Sequence, residues 1–116
     1  MSKNISTEKL LSLIIKWAED KKAINPITLD LSFLDRMTDY MIVVSGDADP
    51  HVKAIAREIE SQLKKTGIKD FLWEGSTKSG WIIFDLGEVI VHIMLEKERS
   101  YYNLEELWGK KAIIYH

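Results

Sequence analysis

The sequence predicts a single α+β domain over residues 1–116, in which two long helices pack on one face of a mixed β-sheet and a short helix follows near the C-terminus. Two segments repeat apolar residues at helical spacing, and five others have strand-like patterns. The two prolines and six glycines sit at the joints between segments. The resulting order, α-β-β-α-β-β-β-α, fits neither a parallel βαβ series nor an all-β fold.

The first helix is predicted over roughly residues 7–22. Ser6 is the expected N-cap, because its hydroxyl can accept a hydrogen bond from a free N–H of the first turn. Lys21 and Lys22 fall in the last turn, where the helix dipole favours cations. The inward stripe consists of Leu10, Leu13, Ile14 and Trp17, widened by Leu11 and Ala18.

Two strands are predicted before the second helix. Ile27, Leu29 and Leu31 alternate with polar residues, which indicates a strand with one buried face. The continuous apolar run at 40–44 is typical of a central strand buried on both faces.

The second helix has clear start and stop signals. Asp49 is the predicted N-cap, Pro50 fits the first helical position, and Gly67 fits the left-handed residue after the end. Its buried face comprises Val52, Ile55, Ala56, Ile59 and Leu63.

Three strands and a short helix complete the prediction. The strands lie at roughly 70–74, 81–86 and 89–95, with a two-residue hairpin turn at Gly87-Glu88 between the last two. Asn103 is expected to cap a short helix, with Glu106 at capping-box spacing and Gly109 closing it. Residues 112–115 are either a terminal strand or an ordered tail.

Composition excludes several function classes. The absence of cysteine rules out disulfides, a thiol nucleophile and Cys-ligated zinc or iron–sulfur sites. A net charge of −2 argues against a strongly basic nucleic-acid binder. No segment approaches the ~20 apolar residues of a membrane span, and no signal or transit peptide is recognisable, so the expected location is the cytoplasm.

The predicted hairpin places two kinds of side chain on its two faces. Its register pairs Asp85 with Ile90 and Ile83 with His92. One face is wholly apolar and should meet the helices; it carries Ile82, Phe84, Leu86, Val89, Val91, Ile93 and Leu95. The other face mixes aromatic, aliphatic and ionisable groups; it carries Trp81, Ile83, Asp85, Ile90, His92 and Met94.

This mixed face has two interpretations that the residues alone leave open. It is either an exposed platform for a partner, or a surface that the segment at 101–108 folds over. Asp85 and His92 are diagonal neighbours within hydrogen-bonding reach. A structural pair is favoured over a catalytic dyad, because no Ser or Cys nucleophile accompanies them.

Other polar clusters are better explained structurally. Asp47 and Asp49 suit a turn and a helix cap rather than a metal site, and His51 is expected to be solvated in the first helical turn. The sequence has no P-loop and no GxGxxG fingerprint. Basic and acidic residues mix on the second helix, which indicates a solvated face, with a peripheral RNA contact as the alternative. These residues are Lys53, Arg57, Lys64 and Lys65 with Glu58 and Glu60.

An ordered set of short motifs resembles the ribosomal silencing factor (Iojap-like) family. The set comprises Thr-Asp-Tyr at 38–40, Ser-Gly at 45–46, His-Val-Lys-Ala-Ile-Ala at 51–56, Glu-Gly at 74–75, Trp81, Asp-Leu-Gly-Glu-Val-Ile-Val-His at 85–92, and Tyr-Asn-Leu-Glu-Glu-Leu-Trp at 102–108. The sequence departs from the family pattern in the loop at 76–80 and at 96–99. Residues 113–116 lie beyond the motifs.

The resemblance implies a translational repressor rather than an enzyme, without cofactor or metal. Such proteins dock on the large ribosomal subunit through large-subunit ribosomal protein fourteen and sterically block joining of the small subunit when nutrients are scarce. The implied fold has a nucleotidyltransferase-like topology without that superfamily's catalytic carboxylates. The implied docking residues are Trp81, Ile83, Asp85, His92, Met94, Glu96, Tyr102, Leu104 and Trp108.

Within that set, Trp81 is the expected apolar anchor. Asp85, Glu96 and Glu98 suit a basic ribosomal protein. Two alternatives stay open. One is a metal-dependent nucleotidyltransferase-like or hydrolytic enzyme using Asp85 and His92. The other is a homodimer formed through the mixed face.

Overall fold

The computed structural model describes residues 5–32, 38–68, 70–76, 78–104, 106 and, as backbone, 113–115. Its elements are α1 (Thr7–Asp20), β1 (Ile24–Asp30), β2 (Tyr40–Gly46), α2 (Asp49–Lys65), β3 (Leu72–Ser76), β4 (Trp81–Asp85), β5 (Val89–Leu95), α3 (Glu96–Tyr102) and β6 (Ile113–Tyr115). The sheet order is β3-β4-β5-β2-β1-β6. β2 and β5 run parallel, and the other neighbouring pairs are antiparallel. The predicted mixed α+β fold is confirmed.

The main core lies between one sheet face and the helices α1 and α2. The central strands contribute fully buried side chains to it, such as Ile42, Phe84 and Ile93. Burying each such side chain contributes roughly 1.5–3 kcal/mol. The wholly apolar hairpin face therefore meets the long helices, as predicted. Ile15 of α1 is also buried, which the predicted stripe missed.

The ends of α1 agree in part with the prediction. Ser6 is the N-cap, and its hydroxyl accepts from the Lys9 N–H at 3.2 Å. The helix ends at Asp20, so Lys21 and Lys22 lie beyond its last turn rather than in it.

The start of α2 differs from the prediction. Ala48 occupies the N-cap position and Asp49 is the first helical residue. The nearby polar groups are organised by His51, whose Nδ1 accepts the Asp47 N–H at 3.0 Å while its Nε2 donates to the Lys21 carbonyl at 2.8 Å. The predictions of an Asp49 cap and a solvated His51 were therefore wrong. Through Nε2, His51 ties α2 to the end of α1, while Nδ1 holds the turn that precedes α2.

The β4–β5 hairpin has the predicted register. Asp85 pairs with Ile90 and Ile83 pairs with His92. The turn closes with the Leu86 N–H donating to the Val89 carbonyl at 2.9 Å. Gly87 has φ +87°, a value that favours glycine.

Asn103 separates two helical segments, α3 before it and the helical residues Leu104 and Glu106 after it. It ends α3, which the sequence did not predict, in the left-handed conformation with φ 47° and ψ 57°, and its N–H donates to the Arg99 carbonyl at 2.9 Å. On its other side, the Asn103 carbonyl accepts the Glu106 N–H at 3.2 Å and its side-chain amide donates to the Glu106 carboxylate, so the predicted link between Asn103 and Glu106 is present. Gly109 lies outside the described residues. The terminal-strand alternative is confirmed for Ile113–Tyr115, which pairs with β1.

The strand boundaries shift by a few residues. β1 begins at Ile24, before the alternating residues that predicted it, and β3 lies two residues later than expected. Within the part of the chain that the structure describes, no helix has the length and apolar character to cross a bilayer.

Candidate protein-docking surface

The mixed face of the hairpin continues across the sheet on the side opposite α1 and α2. Cross-strand pairing places Glu74, Ile83, His92, Val43 and Ile27 in one row, running from β3 to β1. Side chains two residues apart on each strand share this face. A second, smaller apolar cluster forms here, composed of Ile27, Leu29, Leu31, Met41, Val43 and Met94.

Exposure rises steadily along this face from β1 to β3. Leu29 and Val43 on β1 and β2 are fully buried. On β4 the side chains of Trp81 and Ile83 are partly exposed, and on the edge strand Leu72 is 63% exposed. We call the open part the β3–β4 surface; it consists of the outward side chains of Leu72, Glu74, Trp81, Ile83 and Asp85.

The C-terminal segment contributes to covering the rest of the face. Leu104 packs against the small apolar cluster, and Tyr102 of α3 lies against Trp81 with ring centroids 4.8 Å apart. The face is therefore covered on its β1–β2 side and open at the β3–β4 surface.

Trp81 is held in place on the β3–β4 surface by two contacts. Its indole N–H donates to His92 Nδ1 at 2.8 Å, and its ring packs on Tyr102. The indole stays partly exposed. An aromatic side chain fixed in this way presents apolar area without losing much further rotamer entropy when a partner binds.

His92 is buried, contrary to its predicted role as an exposed polar contact. It is only 7% exposed, and this burial lowers its pKa from 6.5 to about 4, so the ring is neutral at pH 7. Since Nδ1 accepts the indole N–H, the ring proton sits on Nε2, which has no hydrogen-bond partner among the described residues. His92 therefore positions Trp81 instead of facing a partner. Met94, also predicted to be exposed, is fully buried in the small apolar cluster.

Asp85 and His92 do not form the predicted pair. The Asp85 carboxylate accepts the Gly87 N–H of the hairpin turn at 2.9 Å, while His92 Nδ1 bonds to Trp81. The Gly87 N–H is the partner of Asp85 and the Trp81 indole is the partner of His92, so the two side chains do not bond to each other. Neither the favoured structural pair nor the alternative of a catalytic dyad is therefore formed by these two side chains.

The remaining predicted docking residues are spread over two places. Tyr102 is 50% exposed beside Trp81. Glu96 instead lines a hollow of about 310 Å³ at the end of α3, together with Ser45 and Arg99. The Arg99 guanidinium there donates to the Ile24 carbonyl at 3.2 Å and to Ser45 Oγ at 3.1 Å.

Two predicted features need separate comment. Trp108 lies outside the described residues. The Asp47 carboxylate approaches His51 Nδ1 at 3.1 Å, and no group of three or more potential metal ligands occurs in the described ranges.

Sequence reasoning missed three large exposed side chains, one of which is Trp73, 41% exposed on the helix-facing side of β3. Leu72 lies on the β3–β4 surface, and Tyr101 is 80% exposed next to Tyr102. The signal for Leu72 was its place on the same strand face as Glu74, two residues away, which a strand register for β3 would have shown.

Comparison with known protein families shows which family the chain belongs to. The family model described as "Ribosomal silencing factor during starvation" matches residues 4–115. The chain belongs to this family. The resemblance inferred from the ordered motifs is thereby confirmed.

Two bacterial relatives are similar over most of their length, and a mouse relative over a smaller part. A Bacillus subtilis protein named ribosomal silencing factor is 38% identical over 105 residues, covering 90% of this chain and 89% of the relative. A mouse protein named mitochondrial assembly of ribosomal large subunit protein 1 is 30% identical over 80 residues, covering 66% of this chain and 35% of the relative. A crystal structure of a Chromobacterium violaceum protein superposes with a TM-score of 0.85 at 37% identity, covering 91% of this chain and 89% of that chain.

Proposed function

We propose that this protein docks on the large ribosomal subunit through large-subunit ribosomal protein fourteen, blocks joining of the small subunit, and so lowers translation when nutrients are scarce. Membership of the silencing-factor family supports this proposal. The observation that carries it in the structure is Trp81, a partly exposed indole fixed by His92 and Tyr102 on a sheet face that the long helices leave open.

The β3–β4 surface has the composition of a protein interface. Tryptophan and tyrosine are enriched among the residues that carry binding energy, and a well-packed anchor surrounded by apolar contacts excludes water. Ile83 supplies such apolar area two residues from Trp81 on the same strand face, and Leu72 extends it opposite Asp85.

The acidic groups of this surface suit a basic partner. Asp85 and Glu74 flank the apolar side chains, so a basic ribosomal protein would meet complementary charge. This complementarity mainly affects association rate and orientation, while Trp81 supplies affinity.

A protein that blocks subunit joining needs sufficient size rather than a catalytic step. The molecule measures 35 × 32 × 23 Å, so one docked copy would hold two flat subunit faces far beyond contact distance. We propose no catalytic step, and Asp85 and His92 each bond elsewhere.

Co-sedimentation with purified large subunits tests the docking surface. Trp81→Glu places a charge where the anchor would be buried and should abolish co-sedimentation. Ser61→Glu adds the same charge on the exposed side of α2 and should bind normally. If folded Trp81→Glu co-sediments like the wild type, the docking surface is misassigned.

Adding small subunits to the same mixtures tests the blocking step. Wild-type protein should reduce the fraction of joined ribosomes in a sucrose gradient, and Trp81→Glu should not. Joining that proceeds normally with the wild-type protein bound would refute the proposed function. Light scattering gives the mass of both proteins in solution and so tests the alternative of a homodimer formed through the mixed face.

A further inference from the structure

A groove lies on the side of the sheet that faces α1 and α2, opposite the β3–β4 surface. It has a volume of about 410 Å³ and is lined by Lys53 and Arg57 of α2 and by Trp73 of β3. A neighbouring hollow of about 400 Å³ shares Lys53 and Arg57 and adds Lys21. Three cations and one indole therefore border a continuous region.

The cations of this groove are not used within the fold. Lys53 and Arg57 lie one helical turn apart on the same side of α2, and neither forms a hydrogen bond or ion pair with any residue that the structure describes.

The nearby carboxylates already have partners. Glu58 accepts from the Gln62 side chain at 3.0 Å, and Glu60 pairs with Lys64 at 3.7 Å. Lys64 offsets the charge of Glu60, which also lines the groove. Gln62 is neutral, so Glu58 keeps its charge in the neighbouring hollow, where three cations outnumber it.

Trp73 is an anchored but open ring. Its indole meets the Phe84 ring edge-on, with centroids 4.6 Å apart and an interplanar angle of 88°. The residue is 41% exposed on the edge strand β3. A rigid, half-open aromatic face beside unpaired cations is the arrangement that single-stranded nucleic acids require, because bases stack on the ring and phosphates bind the cations.

We propose that this groove binds single-stranded RNA, with Lys53 and Arg57 on successive phosphates and one base stacked on Trp73. The choice of RNA over DNA rests on the proposed ribosomal function, whereas the stacking and charge chemistry does not. The groove and the β3–β4 surface lie on opposite faces of the sheet, so one molecule can contact protein and RNA at the same time.

Fluorescence anisotropy with a labelled single-stranded oligouridine of about ten nucleotides tests the groove without ribosomes. Two phosphate contacts predict a slope of log K against log salt of about −1.4, at about −0.7 per contact for single strands. The double variant Lys53→Gln, Arg57→Gln should lose most of this slope and weaken binding about tenfold or more.

Changes at Trp73 separate stacking from charge. Trp73→Leu should weaken binding about tenfold with an unchanged salt slope, and Trp73→Phe should retain most of the affinity. Lys9→Gln, Lys97→Gln removes the same charge from exposed positions on α1 and α3 and is the matched control. Thermal unfolding checks that each variant is folded, and Trp73→Phe carries the test if Trp73→Leu is not.

Three outcomes would overturn the proposal. They are an absence of oligouridine binding at low salt, equal weakening by the Lys9 and Lys97 control, and equally strong competition by oligoglutamate, which would indicate an acidic protein partner instead. Trp81→Glu should bind oligouridine normally. Failure of this site therefore leaves the proposed docking on the large subunit untouched, and the reverse is also true.

Discussion

The two halves of the sheet face opposite α1 and α2 share one strand periodicity but have different surroundings. On the β1–β2 side, Leu29 and Val43 are fully buried and the outward residues of the cluster are apolar. On the β3–β4 surface, Glu74 and Asp85 interrupt the apolar side chains, and Trp81 and Ile83 remain partly exposed. Alternation therefore assigns a residue to a face, while the charges along that face indicate whether something covers it.

The largest expected effect comes from introducing a carboxylate into each half of this sheet face. Val43→Asp buries a carboxylate in the covered half, which should cost at least about 4 kcal/mol of unfolding free energy. Ile83→Asp, one strand beyond His92 in the same row, should cost less than about 1 kcal/mol, because water reaches this position. Urea unfolding measures both, and equal losses would contradict the division of the face.

The stability that His92 contributes between the two halves is predicted to fall in acid. Burial lowers the pKa of His92 to about 4, against 6.5 for the unfolded chain. The unfolded state then binds more protons between these values, so His92 contributes full stability above about pH 6.5 and loses it as the pH falls toward 4. The loss amounts to roughly 3 kcal/mol.

Replacing His92 isolates this contribution from that of the carboxylates. The unfolding free energy of His92→Gln should fall less than that of the wild type between pH 7 and pH 4. Protonation also turns His92 Nδ1 into a donor, so acid should release the Trp81 N–H and change its fluorescence. Parallel pH profiles for the two proteins would show that His92 is not the titrating group.

A smaller effect is expected where the C-terminal segment covers the face. Leu104 is partly buried against the small apolar cluster, so Leu104→Ala should cost about 1–2 kcal/mol. Its matched comparison is Leu72→Ala, which removes the same atoms from a 63% exposed position and should cost less than about 0.5 kcal/mol. Both values come from urea unfolding, and a cost for Leu72→Ala as large as that for Leu104→Ala would argue against an open β3 edge.

Most of the fold was predictable because the elements carry local signals. The period of α1 and α2, the apolar run of β2 and the turn glycine Gly87 each specify their structure within a few residues. The errors arose where one residue type serves two roles. Asn103 ends α3 and also precedes the helical residues Leu104 and Glu106, and only the second role was predicted.

The candidate site was predictable in composition but not in contacts. The hairpin register placed Trp81, Asp85 and His92 on one face correctly. Which polar groups bond depends on distances across strands and on the turn. Asp85 bonds to Gly87 and His92 to Trp81, and alternation alone does not contain this choice. Burial of His92 depends on neighbouring strands such as β2, whose Val43 pairs with it from far away in sequence.

The smallest expected effect is that of Asp85→Asn. This variant removes a charge from the open half of the face and keeps an oxygen for the Gly87 N–H. Because the turn bond survives, the unfolding free energy should change by less than about 0.5 kcal/mol. Association with large subunits should slow several-fold at low salt, and the difference from the wild type should vanish at high salt, since screening removes long-range attraction. Asp49→Asn removes the same charge at the start of α2, away from the surface, and serves as the control. Equal slowing by both variants would mean that net charge, and not the position of Asp85, guides the encounter.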